Sequence, residues 1–155
     1  MRRQDREIKD RVRIDEIIES CDCIRVGLSA QEGAYIVPLN FGYAPGVPAK
    51  FYFHSAKEGR KVAMIGSGAA AGFELDCAHR LGEAEQACRH TYFFQSVIGT
   101  GYAAPVENPE EKKRALALIM AHYRKDCTFS FTDEQAAAVA VFCLTVKTIS
   151  CKEHL

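Results

Sequence analysis

Ser55, Gly59, Arg60 and Lys61 follow directly on an aromatic run, Lys50-Phe51-Tyr52-Phe53-His54. Such a run of aromatic residues favours a strand. Beyond them, Val62, Met64 and Ile65 among charged residues, ending at Gly66-Ser67-Gly68, predict a short helix over 57–65. A strand end that runs into a helix start leaves backbone N–H groups free to donate to an anion. Here Ser55 adds a hydroxyl, Gly59 permits close approach, Arg60 can grip a phosphate with two parallel hydrogen bonds, and Lys61 supplies a mobile point charge. An ordinary solvated helix start has the same composition, so spacing alone leaves both readings open. His54 closes the strand. Its imidazole could titrate near neutral pH, stack on a planar ligand or donate to a carbonyl or carboxylate, or it could be a half-buried histidine capped by backbone.

Other chemistries find little support. Cys21 and Cys23 form a C-x-C pair, but the remaining five of seven cysteines are scattered without the paired spacing of zinc sites, which favours buried, inert thiols. His79, His90, His122 and His154 lie far apart, so no metal role is assigned. Gly27-Leu28-Ser29-Ala30-Gln31 lacks the final glycine of a nucleophile elbow. Neither a phosphate-binding G-x-x-x-x-G-K-[ST] loop nor a G-x-G-x-x-G turn behind a strand is present. What remains is a ligand held at the rim of a small barrel.

The elements that must position this rim read as follows. Ile14, Ile17 and Ile18 recur at helical spacing. Strands are predicted over 23–29 and 34–43, joined as a hairpin through Gln31-Glu32-Gly33, with 50–54 closing a meander. Further strands fall at 70–77 and 91–104, with the polar stretch 80–90 left unassigned. Asn108-Pro109-Glu110-Glu111 opens a helix running to residue 123, with Leu116, Ile119, Met120 and Tyr123 on one face. A last, nearly all-apolar strand covers 138–149. The sum is a β-rich α+β chain, and 155 residues fit one domain spanning 1–155.

Lysine plus arginine equals aspartate plus glutamate, 20 each, which removes the long-range positive field that draws proteins to nucleic acid or anionic membranes. Any anion site must be local. No apolar run reaches the ~18 residues of a spanning helix, and Met1-Arg2-Arg3-Gln4-Asp5-Arg6-Glu7 has no apolar signal core behind it. The expectation is a cytoplasmic protein.

The chain resembles the pyridoxamine 5'-phosphate oxidase-like superfamily of flavin-binding split barrels, and within it the nitroimidazole-resistance (Nim-type) proteins. The resemblance is carried by the segment 1–7, by Tyr35-Ile36-Val37-Pro38-Leu39-Asn40-Phe41-Gly42-Tyr43, by residues 51–61, by Ser96-Val97-Ile98-Gly99-Thr100-Gly101, by His122-Tyr123 and by Ala138-Val139-Ala140-Val141-Phe142, in order along the chain. It implies a six- to seven-stranded antiparallel split β-barrel with flanking helices, binding FMN between the two subunits of a homodimer. It also implies that Val37, Pro38, Leu39 and Asn40 run along the ring and ribityl chain. Positions matching His54 and Ser55 then flank the ribityl phosphate, Arg60 and Lys61 bind it, and Ser96 and Val97 lie near the flavin.

In Nim-type proteins the position of His54 is implied to sit beside the ring and a small-molecule substrate, where it could orient substrate or supply a proton. The implied activity is reduction of small electron-poor aromatics. Alternatives are a non-catalytic flavin-binding or sensing module, a pyridoxamine 5'-phosphate oxidase-like oxidase, and haem or deazaflavin in the same barrel. The basic C-terminal segment of true pyridoxamine 5'-phosphate oxidases has no counterpart in Thr148-Ile149-Ser150-Cys151-Lys152-Glu153-His154-Leu155, and neither does the Gly-Lys ending of other relatives.

Overall fold

The structure is a computed structural model and describes residues 3–155. Met1 and Arg2, part of one segment carrying the resemblance, lie outside the described residues. The order of elements is β1 (Glu7–Ile8), α1 (Arg11–Ser20), β2 (Ile24–Ala30), β3 (Gly33–Leu39), β4 (Gly42–Ala44), β5 (Lys50–Ser55), α2 (Arg60–Ile65), β6 (Ala69–Gly82), β7 (Thr91–Pro105), α3 (Pro109–Tyr123), α4 (Asp133–Ala137) and β8 (Ala140–His154). All strand pairs are antiparallel, in the order β3-β2-β6-β7-β8-β5-β4, with the two-residue β1 added on β8. This is the split-barrel fold, with seven strands along the main path. No pairing among the described residues joins β3 to β4, so the sheet is not closed.

The expected meander is corrected by this order: β5 follows the β2–β3 hairpin in sequence yet pairs with β4 and β8, not with β3. The predicted strand over 34–43 breaks at Asn40-Phe41, and its end, Gly42–Ala44, becomes β4 beside β5. β3 is left as an edge strand. It carries Pro38, whose missing N–H is tolerated there because no neighbour on the free side needs it.

β5 alternates between two cores. Phe51 and Phe53 are fully buried in the barrel with Val26, Phe73, Leu75, Val97 and Leu144. Phe53 stacks on Phe142 at 5.6 Å between ring centroids, and Phe51 meets Phe73 at 5.1 Å. Tyr52, facing the other way, packs with Leu116 and Ile119 of α3, Ala136 of α4 and Val141. The period of two puts His54 on the same side as Tyr52, at the strand end.

The helices obey their local signals. Asp10 caps α1 by accepting from the Val12 N–H, and Ile14, Ile17 and Ile18 are all buried. Asn108 caps α3 in the same way through Glu111, with Pro109 in the first turn. Gly42 lies so close to α3 that a Cβ there would stand 2.6 Å from the Ile119 nitrogen. None of the helices among the described residues is long and apolar enough to cross a membrane.

Candidate functional site

The junction behind β5 is shorter on its helical side than the sequence predicts. α2 begins at Arg60, not residue 57, because Gly59 at its N-cap takes a φ of +127°, a conformation that favours glycine. The backbone turns sharply there and leaves open space: a Cβ on Gly59 would meet nothing within 4 Å. Arg60 and Lys61 thereby become the first two helical residues, whose N–H groups lack an intrahelical partner.

The two cations diverge. Lys61 folds inward, its Nζ 5.8 Å from the centre of the Phe53 ring, and loss of water around the amine lowers its pKa from the usual lysine value. Arg60 reaches across to the other side of the barrel split. Its guanidinium lies 4.7 Å over the Tyr35 ring of β3, and its Nη2 donates to Glu32 Oε1 in the β2–β3 turn. α2 thus spans the gap between β5 and the β3 edge that strand pairing leaves open.

His54 is exposed, opposite Val141 in the β5–β8 ladder, with its pKa lowered from the ordinary histidine value first by desolvation from the atoms around it and then by the charge of Lys61. A neutral imidazole keeps one N–H donor and one acceptor nitrogen. The Ser55 hydroxyl donates to the carbonyl of Ala56 at 2.7 Å.

His54, Ser55, Arg60 and Lys61 therefore flank one strand-to-helix junction, with Lys61 turned toward Phe53 and close enough to His54 to shift its pKa, and Arg60 turned toward Tyr35 and Glu32 of β3 and its turn. The other residues singled out in the sequence divide. Val37 and Leu39 are partly buried against the barrel core, whereas Pro38 and Asn40 are exposed on the opposite face. Val97 is fully buried in the core, so its side chain faces core residues and only its backbone can line a ligand. Ser96 is partly exposed on β7, paired with Asp76 and Lys152. It lies far from His54 within the chain: the ladder level next to His54 reaches β7 at Pro105, opposite Phe142, nine positions from Ser96, or roughly 30 Å of strand path at about 3.3 Å per residue.

In the sequence Glu32 is a turn residue and Tyr35 part of a strand. Their contact with Arg60 has no local signal, because it joins residues across the open side of the barrel. Among the described residues no group of three or more histidine, cysteine, aspartate or glutamate side chains is placed to hold a metal ion.

The residues present fit a planar ligand that carries a phosphate. Two cations and a hydroxyl flank the strand-to-helix junction, Gly59 leaves open space there, and β3 has a free edge among the described residues.

Comparison with known proteins bears on this arrangement. Residues 10–153 match the family model described as pyridoxamine 5'-phosphate oxidase. Among solved structures, a candidate 5-nitroimidazole antibiotic resistance protein from Bacteroides thetaiotaomicron is 34% identical, with 94% of this chain and 85% of that one covered and a TM-score of 0.80. An FAD- and haem-binding protein from Mycobacterium smegmatis is 15% identical, covering 96% of this chain and 73% of that one, with a TM-score of 0.79. A flavocytochrome from Azotobacter vinelandii is 18% identical over 100% of this chain and 72% of its own, at a TM-score of 0.78. At these last two identities the likeness shows the fold alone. No curated protein matches the chain.

Proposed function

The chain belongs to the pyridoxamine 5'-phosphate oxidase family, and we propose that it binds FMN at the β5–α2 junction and serves as a reductase of small electron-poor aromatics of the nitroimidazole type. The observation that carries the flavin reading is the placing of His54, Ser55, Arg60 and Lys61 around the β5–α2 junction, with Arg60 reaching to the edge strand β3. The substrate class rests on the 34% identity, over nearly the whole chain, to the candidate nitroimidazole-resistance protein.

Lys61 and Arg60 hold the phosphate, with Ser55 turning its hydroxyl from Ala56 to the ligand. The exposed backbone of residues 37–40 lies along the ring and ribityl chain. FMN held there, once reduced by an external two-electron donor, would supply the electrons. His54, its pKa held below the ordinary histidine value, can donate an N–H hydrogen bond to an oxygen of the substrate as charge develops there.

A second copy of the chain completes the site. Ser96 and His54 lie too far apart along one chain to share a ligand readily, but two copies can bring the β7 of one to the β5–α2 junction of the other. Exposed Ile36, Ile98 and Tyr102 surround Gly27 and Gly72 on the outer sheet face, an apolar surface suited to such a partner.

The test is mass spectrometry of ligand released from purified protein, followed by reoxidation of the reduced protein with a nitroaromatic. Release of FMN and turnover faster than that of free FMN are the expected results. A protein that releases no flavin and shows no thermal shift with added FMN removes the reading. One that holds FMN but reoxidises no faster than free flavin is a binding module, not a reductase.

A further inference from the structure

We propose that Glu32 is a built-in competitor for the ligand phosphate, an internal carboxylate that occupies Arg60 in the unliganded protein and sets how tightly a phosphate-bearing flavin is held. This rests on the reading of Arg60 as a phosphate residue given above.

Arg60 is fixed from two directions. Its guanidinium rests on the Tyr35 ring and its Nη2 donates to Glu32. Glu32 is presented by the tight turn between β2 and β3, and Gly33 behind it takes a φ of +126°. Among the described ion pairs Arg60 is the cation that Glu32 meets. Backbone hydrogen bonding at Glu32 itself, and then the charge of Arg60, keep that carboxyl below its usual pKa, so it is ionised at neutral pH.

A phosphate arriving at Arg60 therefore meets a guanidinium already engaged by an anion. It must either displace Glu32 into water or share the cation with it, leaving two anions side by side. Both courses weaken binding. Tyr35 decides the sign for a variant lacking the carboxylate: the stack keeps the guanidinium in place after Glu32 is gone, so its five N–H donors become free without the side chain losing its position. The opposite role, Glu32 as the group that orients Arg60 for the ligand, gives the opposite sign.

The size of the effect follows from exposure. The Arg60 and Glu32 side chains are 51% and 67% exposed, so water and salt screen the pair. Exposed ion pairs are worth a fraction of a kcal/mol up to about one, a change of about two- to fivefold in Kd.

The experiment titrates the parent, Glu32→Gln, Arg60→Gln and the double variant with FMN and, separately, with riboflavin, which lacks the phosphate. Glu32→Gln is expected to bind FMN about two- to fivefold tighter, to leave riboflavin affinity unchanged, and to bring no gain when Arg60 is also glutamine. Glu32→Ala, which leaves nothing at the turn to bond, must change FMN affinity in the same direction. Unchanged or weaker FMN binding by the Glu32 variants overturns the proposal, as does a gain that persists without Arg60. If the parent binds neither flavin, or riboflavin as tightly as FMN, the phosphate site itself is misplaced and this inference falls with it. If the parent prefers FMN and Glu32→Gln changes nothing, the inference about Glu32 alone is lost.

Discussion

Lys61→Met tests the phosphate site while preserving most of the local packing. The methionine keeps an unbranched stem to lie along Phe53, where the Lys61 amine sits 5.8 Å from the ring centre, and removes only the charge. A hydrogen bond to a charged group contributes about 1.5–3 kcal/mol, so FMN affinity should fall roughly 10- to 150-fold. The upper part of that range is expected, because Lys61 is partly withdrawn from water, as its lowered pKa records, and its charge is screened less than that of a surface lysine. Riboflavin binding should not change. A second consequence is independent of any ligand: the charge of Lys61 helps to depress the His54 pKa, so the variant should raise it. Calorimetric titration with both flavins and an NMR titration of the His54 ring give the two readouts. Unchanged FMN affinity in a folded Lys61→Met protein refutes the placement of the phosphate, and an unchanged His54 pKa refutes the electrostatic link.

Gly42→Ala would set a Cβ 2.6 Å from the Ile119 nitrogen and 2.7 Å from the Leu118 carbonyl carbon, backbone atoms that cannot rotate away. Overpacking of this kind costs about 1–3 kcal/mol, or a Tm lower by about 3–9 °C at about 3 °C per kcal/mol for a chain of this length; a melt within a degree of the parent contradicts the packing described. Because His54 has a lowered folded pKa, the unfolded chain binds more protons in the window between that value and about 6.5, so its contribution to stability is full above about 6.5 and is lost as pH falls. Denaturant midpoints across that window should show a weaker pH dependence for His54→Gln than for the parent. The same variant should retain FMN but reduce nitroaromatics more slowly, as single-turnover reoxidation would reveal; equal rates would leave His54 without a chemical role. Ser96→Arg, on the face assigned to the second copy, should weaken both dimer formation and FMN binding, measured by sedimentation with and without flavin.

Features set by neighbours in sequence were readable before the structure. Asn108-Pro109 marked the start of α3, Ile14, Ile17 and Ile18 marked the buried face of α1, and the aromatic run marked β5. Thr132 and Gln135 form a capping box that opens α4, a signal already present in the local sequence. The polar stretch 80–90 resisted assignment because β6 runs on to Gly82 past a register break between Cys77 and Arg80, where alternation is lost. Pairing partners were harder still. Nothing local to 50–54 says that it will join 140–145 instead of 33–39, since that choice follows from how the whole sheet curls. For the same reason Ser55, Arg60 and Lys61 could be singled out from spacing and resemblance, while Glu32 and Tyr35 could not.

β5 buries Phe51, Tyr52 and Phe53 on its two faces and pairs with β8 along its whole length and with β4 over Lys50–Tyr52, whereas α2, which follows it, is a six-residue helix whose Arg60 reaches a turn and a strand edge through side-chain contacts. The histidine is thus mounted on a strand held by a full ladder to β8, and the cations proposed to bind phosphate on the first turn of a short helix whose other end, at Ile65, is buried in the core. In hydrogen-exchange terms, the amides of Phe51 to Phe53 should be among the last to exchange whether or not ligand is present, and those of Arg60 to Ile65 should gain the most protection when it binds. Capture of the ligand would then consist chiefly of fastening one short segment against a wall that is already rigid.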